Sequence, residues 1–282
     1  LTRANAARSR RDAWSMTGAV DVDRYFARIG YAGPPRRDLA TLARLLHAHM
    51  RAIPFENLDV LLGRGVDLDL AALQAKLVGA RRGGYCFEHA TLFAAMLETL
   101  GFAVRRHSAR VVLVAPKTQS PRTHMFVSVE LSEGTFICDP GFGALAPEVP
   151  LRLVDAFAPP EATHWMARDG DAWTMRARHD GNVVDAWVTS LEVDPPVDFV
   201  VANHYVATHP ASAFRQRLLL RALTPAGRVG VMNRDVTFRE DGRVRTETLN
   251  DRKALRTLLR THFGFDLPEV ETLKVPAVEE WD

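Results

Sequence analysis

The residue best suited to covalent chemistry in this sequence is Cys86, which follows two glycines in the segment RGGYCFEH of residues 82–89. Apolar residues then recur at helical spacing as far as Leu100, and Gly101 stands where a C-terminal cap is expected. The pattern places Cys86 in the first turn of a helix, where free N–H groups and the helix dipole stabilise a thiolate. The glycines permit a tight bend and leave room for a reactant. The alternative is that Cys86 is a small buried hydrophobic residue.

A nucleophilic thiol needs a base to take its proton and a third group to orient that base, and His124 and Asp139 are the candidates. His124 begins one predicted strand and Asp139 ends the next. Their separation of 15 positions is odd, so a hairpin with an even-residue loop directs both side chains to one face. Face-to-face pairing would centre the turn between Leu131 and Ser132, and the turn signal lies slightly later. Taken singly, His124 also fits an ordinary strand histidine, and Asp139 fits a turn-initiating residue.

The elements that must position these residues change character at Gly101. Apolar spacing predicts helices over residues 21–29, 38–50, 69–79 and 86–100. Alternating apolar residues then predict strands over residues 104–115, 123–131, 135–139, 172–178, 183–191, 216–223, 229–233 and 236–239. Asn250 or Asp251 caps a last helix that runs to Phe263. Helices followed by many antiparallel strands and a terminal helix indicate an α+β architecture.

The composition is that of a soluble globular protein, with 47% hydrophobic and 25% charged residues in a chain of 282. The net charge of +2 is carried by scattered arginines and does not indicate a nucleic-acid surface. No apolar run approaches the roughly 18 residues that span a bilayer, so no membrane partner is expected. Two cysteines cannot form a disulfide framework, which favours a cytoplasmic location. Residues 1–15 lack the apolar core of a signal peptide and are expected to be a disordered extension or a cloning remnant.

Neighbours of the proposed nucleophile carry weaker signals. Cys86, His89 and Cys138 lack the spacing of a metal-binding motif, so no metal is expected. Cys138 precedes Asp139 on a strand and should therefore point to the opposite face, into the core. His89 is expected to be a packed or surface histidine of the helix. Glu88 fits either an ion pair beneath the site or a solvated helix charge.

Four motifs follow one another in a recognisable order along the chain: IPFENL at 53–58, RGGYCFE at 82–88, THM at 123–125 with DPGFG at 139–143, and NHY at 203–205 with THPASAF at 208–214. Together they resemble the signature of the arylamine N-acetyltransferases, and the resemblance covers most of the chain from about Val20. Two positions depart from the family pattern. Ala90 stands where asparagine is usual, which puts the packing behind Cys86 in question. Pro140 stands where valine is usual, which puts the exact position of Asp139 in question.

The resemblance implies a helical domain that carries the nucleophile (residues 16–101), a β-barrel domain (102–205) and an α/β lid domain (206–282). The family places a Cys-His-Asp triad between the first two domains, as in cysteine proteases. Carried over residue by residue, Cys86 is the nucleophile, His124 the base and Asp139 the group that orients the base.

The resemblance also implies the chemistry and its partners. The acyl donor is acetyl-CoA, and the acceptor is an arylamine, hydrazine or N-hydroxyarylamine, as in xenobiotic metabolism. Transfer follows a ping-pong course through an acetyl-cysteine intermediate. The residues expected to line an aromatic acceptor cleft are Phe55, Phe142 and Phe214. The residues expected near the acyl end of CoA are Ser120, Arg122, Gly141 and Gly143.

Other interpretations of the same residues stay open. The nearest is an acyltransferase of the same fold that uses another acyl donor, such as an amide synthase. A Cys-His-Asp hydrolase or transglutaminase comes next, and a non-enzymatic binding module requires the triad to be incidental. The physiological acceptor, the preferred acyl chain and the oligomeric state, a homodimer included, are not determined by the sequence.

Overall fold

The computed structural model describes residues 19–157, 160–279 and 281, so the prediction for residues 1–15 lies outside the described residues. Helices dominate the N-terminal part, and the bounds of these elements are α1 (Val22–Ile29), α2 (Leu39–Ala52), β1 (Phe55–Glu56), α3 (Leu58–Leu61), α4 (Leu70–Leu73) and α5 (Cys86–Thr99). The side chains of Asp21, Asp38 and Asp69 accept hydrogen bonds from first-turn N–H groups of α1, α2 and α4. The predicted helix starts at these aspartates are therefore confirmed. Helix α4 continues as a π-helical segment, Gln74–Gly79.

In the described residues, seven antiparallel strands form one sheet in the order β5-β4-β3-β2-β8-β7-β6. Their bounds are β2 (Ala103–Val111), β3 (Arg122–Leu131), β4 (Gly134–Cys138), β5 (Leu151–Arg152), β6 (His164–Asp169), β7 (Ala172–His179) and β8 (Asn182–Thr189). The end strands β5 and β6 contact each other, so the sheet is a nearly closed barrel. Buried side chains such as Phe126, Met175 and Trp187 fill its interior.

A second sheet of five antiparallel strands has the order β1-β9-β10-β11-β12 within the described residues. The remaining bounds are α6 (Pro196–Thr208), α7 (Ala213–Gln216), β9 (Leu219–Thr224), β10 (Gly227–Met232), β11 (Asp235–Glu240), β12 (Arg243–Thr248) and α8 (Arg252–Leu258). Helix α8 and the segment that follows it cover the apolar face of this sheet. The predicted α+β class is confirmed. Among the residues described, no helix has both the length and the apolar character that a membrane crossing requires.

Helix α5 lies at the centre of the molecule. Every residue from Cys86 to Leu97 is buried, the pattern of a helix enclosed on all sides. The helix packs against the N-terminal helices on one side and against β2 and β3 on the other. Its first residue is therefore brought against the strand that begins near His124.

Candidate active site

The β3–β4 hairpin brings His124 and Asp139 together. Val127 pairs with Cys138 and Leu131 with Gly134, so the turn is centred one position later than face-to-face pairing requires. Asp139 is consequently offset diagonally from His124, and both side chains still lie on one face of the sheet. Nε2 of His124 and Oδ2 of Asp139 are 2.8 Å apart, and both residues are buried. The prediction that both side chains lie on one face of the sheet is confirmed.

Cys86 completes the constellation from the helix side. As the first residue of α5, it directs its Sγ toward the start of β3, 3.8 Å from the carbonyl oxygen of Thr123. The thiol of Cys86 also lies close enough to His124 to help raise the pKa of that ring. Because Nε2 of His124 is hydrogen-bonded to Asp139, Nδ1 is the ring nitrogen that is left to exchange a proton with the thiol. Cys86 is only 3% exposed, so a reactant must reach the sulfur through a narrow opening.

The protonation state of His124 suits a thiolate partner. Burial disfavours the imidazolium, but the charge and hydrogen bond of Asp139, together with contact with Cys86, outweigh it. The pKa of His124 is thereby raised to about 10, so the ring is protonated at neutral pH. An imidazolium beside a helix N-terminus is the environment that activates a cysteine. Cys138, by contrast, is buried on the opposite face, where desolvation raises its pKa well above the usual range. It belongs to the core, as predicted.

The glycines before Cys86 serve packing between protein groups. A Cβ on Gly83 would lie 2.1 Å from the carbonyl oxygen of Pro54, and one on Gly84 would lie 2.6 Å from the carboxylate of Glu88. The space that the sequence analysis assigned to a reactant is thus filled by the protein itself. Glu88 accepts from the N–H of Tyr85 and pairs with Lys76 at 2.7 Å. The ion-pair alternative for Glu88 is the observed one.

His89 belongs to a buried hydrogen-bonded chain behind Cys86. Its Nε2 lies 3.2 Å from the carbonyl oxygen of Pro54, and its Nδ1 lies 2.8 Å from Nε2 of His49. The hydroxyl of Tyr25 lies 2.6 Å from Nδ1 of His49. Because a carbonyl can only accept, both histidines carry their proton on Nε2 and the tyrosine hydroxyl donates. Burial lowers the pKa of His89 to about 4, so this packed histidine is neutral.

Of the three predicted aromatic residues, Phe142 contacts the triad, and Phe55 and Phe214 contact each other. The edge of the Phe142 ring meets His124, with ring centroids 4.8 Å apart. Phe214 lies 6.2 Å from Phe55 and 5.2 Å from Tyr85, centroid to centroid. A small cavity borders this group, and its lining includes Phe55, Pro140, Gly143 and Arg221.

The four residues predicted to contact CoA occupy different surroundings. The buried Ser120 donates its hydroxyl to the carbonyl oxygens of Ala115 and Pro116 at 3.1 and 3.2 Å. The exposed Arg122 pairs with Glu192 at 2.9 Å. The N–H of Gly141 donates to Oδ1 of Asp139 at 3.3 Å. Gly143 lies against the ring of Phe55. Gly141 and Gly143 are thus beside the triad, whereas the hydroxyl of Ser120 is used within its own loop.

Three polar side chains that hold the site together were missing from the candidate residues. Trp187 on β8 donates its indole N–H to Oδ2 of Asp139 at 2.9 Å. Asn203 on α6 accepts from the hydroxyl of Tyr85 and donates to the carbonyl of Val66. Both Asn203 and Asn57 lie in motifs quoted above, which was the available signal, whereas Trp187 lies in none of them.

Asn57 links the segment after Phe55 to the chain that carries Phe214. Its Nδ2 donates to the carbonyl oxygens of Phe214 and Arg217 at 2.9 and 2.8 Å, and its Oδ1 accepts from the N–H of Leu219. The two sides of the aromatic group are therefore fixed relative to one another. In the described part of the chain, no group of three or more His, Cys, Asp or Glu side chains is placed to hold a metal ion.

The fold and the site define an acyltransferase, as comparison with known proteins establishes. The sequence model of the N-acetyltransferase family matches residues 38–272. The arylamine N-acetyltransferase of Escherichia coli K12 is 37% identical over 254 residues, which are 89% of this chain and 90% of that protein. That of Mycolicibacterium smegmatis is 36% identical over 267 residues, covering 92% and 97%.

Solved structures agree with the sequence relatives. The structure of Mycobacterium marinum arylamine N-acetyltransferase in complex with CoA superposes with a TM-score of 0.83 and 34% identity, covering 89% of this chain and 94% of that one. The chain belongs to the arylamine N-acetyltransferase family.

Proposed function

We propose that this protein transfers the acetyl group of acetyl-CoA to arylamines, hydrazines or N-hydroxyarylamines by a ping-pong mechanism through acetylated Cys86. The observation that carries the proposal is the contact of three groups where α5 meets the β3–β4 hairpin. The ring of His124 is hydrogen-bonded to the carboxylate of Asp139, and the thiol of Cys86 lies against the start of β3, where it contributes to the raised pKa of His124. Cys86 is the nucleophile in this proposal, His124 the acid and base, and Asp139 the group that orients the ring.

In the first half-reaction, the Cys86 thiolate attacks the thioester carbonyl and forms a carbon–sulfur bond. The carbonyl electron pair moves to oxygen, and the backbone N–H of Cys86, in the first turn of α5, is positioned to stabilise the oxyanion. Collapse of the intermediate breaks the bond to the CoA sulfur, which leaves with the proton from His124. The products are free CoA, acetyl-Cys86 and neutral His124.

In the second half-reaction, the amine attacks the acetyl carbon while neutral His124 removes its proton. The Cys86 thiolate then leaves, and the thiolate–imidazolium pair is restored. The near-complete burial of Cys86 supports transfer in preference to hydrolysis, because it limits the access of water to the acetyl-enzyme.

The substrate contacts are proposals of the same kind. Phe142 against His124, together with the contacting pair Phe55 and Phe214, suits a flat acceptor. Acetyl-CoA approaches through the segments that contain Ser120, Arg122, Gly141 and Gly143. The CoA complex of the related M. marinum protein supports this donor. The free thiols of Cys86 and Cys138 support a reducing, cytoplasmic location.

The test measures CoA release from acetyl-CoA with and without an arylamine, together with mass spectrometry of the enzyme before the amine is added. The expected results are one acetyl group on Cys86 and CoA release that rises with the amine concentration. Cys86→Ala should abolish both, and the matched variant Cys138→Ala should retain both. CoA release that does not depend on the amine concentration indicates a hydrolase. Acylation only by carrier-bound acyl chains indicates an amide synthase.

A further inference from the structure

Trp187 contacts the carboxylate of Asp139 through its indole N–H. Its indole Nε1 lies 2.9 Å from Oδ2 of Asp139, the oxygen that also lies 2.8 Å from Nε2 of His124. The other carboxylate oxygen, Oδ1, accepts the N–H of Gly141. Two donors besides the imidazole therefore define the plane in which the carboxylate lies. A carboxylate without them is free to turn about its Cα–Cβ and Cβ–Cγ bonds.

The indole itself is held firmly. Trp187 is fully buried, and its ring stacks on Phe126 with centroids 4.4 Å apart and an interplanar angle of 21°. Its strand pairs on both sides, with Met175 of β7 and Val111 of β2 opposite it. A side chain so enclosed keeps one rotamer, so its N–H points in a constant direction. A buried indole N–H also requires an acceptor, and here the acceptor is the carboxylate that holds His124.

We propose that Trp187 is a positioning residue for acyl transfer: its N–H fixes Oδ2 of Asp139, and through it the orientation of the His124 ring toward Cys86. The proposal deepens the proposed function and rests on it. The N–H of Trp187 reaches no reacting atom and acts through Asp139, while its ring also lies near that of His124, with centroids 6.0 Å apart. Its hydrogen bond also stabilises the negative charge of the buried carboxylate, which the imidazolium needs as its partner.

Loss of this N–H should affect the acid side of the pH profile. With one donor fewer, the charge of the Asp139 carboxylate is less stabilised, and the carboxylate holds the imidazolium less firmly. Acid should therefore convert the thiolate of the thiolate–imidazolium pair to the thiol at a higher pH. The titratable and charged groups that act on Asp139 from the elements around it are His124 on β3, His89 on α5, Cys138 on β4 and Arg221 on β9. A change confined to Trp187 leaves all of them in place.

The test compares Trp187→Phe with Trp165→Phe. The first keeps an aromatic ring on Phe126 and removes the N–H. Trp165, on β6, is also buried, and its Nε1 has no hydrogen-bond partner among the described residues. The second variant therefore removes an indole N–H of comparable burial that donates no hydrogen bond to the described residues. Thermal unfolding of both variants measures the structural cost of each substitution.

The readout is the rate at which iodoacetamide alkylates Cys86 between mildly acidic and mildly alkaline pH, which requires neither acetyl-CoA nor an amine. In Trp187→Phe, Cys86 should be alkylated roughly 10- to 100-fold more slowly at neutral pH, which is the range expected for the loss of one hydrogen bond to a charged group. The acid limb of its pH profile should move to higher pH. Trp165→Phe should match the wild type. The proposal is overturned if the alkylation rate has the same pH profile in Trp187→Phe and in the wild type. It is also overturned if Trp165→Phe changes the profile in the same way as Trp187→Phe.

Two further measurements keep the outcome decisive. If Trp187→Phe does not fold, Phe126→Leu loosens the indole without removing its N–H, and it also loosens the His124 ring, on which Phe126 stacks with centroids 6.3 Å apart. This variant should shift the acid limb in the same direction by less. An unchanged profile for a folded Phe126→Leu then refutes the positioning role. A wild-type Cys86 that reacts like a free cysteine refutes thiol activation and the positioning role with it. An activated wild-type thiol without acetyl-CoA turnover refutes the proposed substrate and leaves the alkylation comparison valid.

Discussion

Gly141 offers the sharpest test of how the catalytic groups are packed. A Cβ at this position would lie 2.6 Å from Cα of Cys86 and 3.2 Å from Cβ of His89. Non-bonded carbons pack at about 3.5–4.0 Å, so Gly141→Ala must separate the loop from the start of α5 by roughly 1 Å. The nearest atoms belong mainly to the backbone, which cannot rotate away. The loop that carries Asp139 and the helix that carries Cys86 must therefore move apart.

The expected cost follows from that displacement. Misplacing reacting groups by about 1 Å lowers a rate on the order of 10²-fold, and overpacking costs about 1–3 kcal/mol of folding stability. We expect Gly141→Ala to fold, to unfold at lower temperature and to acetylate Cys86 about 10²-fold more slowly at saturating acetyl-CoA. The assay is stopped-flow detection of the first turnover of CoA release, with thermal unfolding measured in parallel.

A matched control separates this effect from the general cost of an added methyl group. A Cβ on Gly230, in β10, would meet only the carbonyl oxygen of Leu220, at 4.0 Å. Gly230→Ala should therefore leave the first-turnover rate unchanged. If Gly141 acts by admitting CoA, its alanine variant will instead raise KM for acetyl-CoA while the saturated rate stays at the wild-type value. That result would refute the packing argument.

Two further predictions concern buried charge. Because the pKa of His89 falls from 6.5 to about 4 on folding, the unfolded chain binds the proton more readily, so stability should fall as the pH drops through that window. His89→Gln should reduce this fall in pH-dependent thermal unfolding, whereas the exposed His204→Gln should not; equal slopes contradict the assignment. Lys76 lies 2.7 Å from both Glu88 and Asp59. Asp59 also pairs with Arg64 and Arg82, so Lys76→Met should cost about 3 kcal/mol mainly by leaving the buried carboxylate of Glu88 without its cation. Chemical denaturation should show that adding Glu88→Gln recovers part of this loss, and strictly additive losses would count against a coupled pair.

Features encoded within one element could be predicted from the sequence. Asp21, Asp38 and Asp69 precede apolar helical patterns, and each caps a helix because the capping hydrogen bond spans only two or three residues. The shared face of His124 and Asp139 follows from the two-residue period of a strand and from a short turn. The turn lies one position later than face-to-face pairing needs, yet the side chains meet because diagonal neighbours are also within reach.

Two elements were not predicted because their sequences show no contrast between an apolar and a polar face. Helix α6, from Pro196 to Thr208, has apolar residues on every side, so it shows no helical period. Strand β12, from Arg243 to Thr248, is exposed along its whole length and shows no alternation of apolar and polar residues. Periodicity reports a difference between two faces, and neither segment has one. The strand predicted over residues 104–115 is observed only as far as Val111, and an irregular loop follows it.

The sequence by itself determined the helix that presents Cys86, the strands that carry His124 and Asp139, and the order of motifs that relates the chain to its family. Only the tertiary structure decided what surrounds those groups: the indole of Trp187 on the carboxylate, the Pro54 carbonyl in the space beside Gly83, and the neutral histidine pair behind the thiol. Local patterns specify in which direction a side chain leaves its own element. Which distant segment supplies its partner depends on how the elements pack, and no local period encodes that.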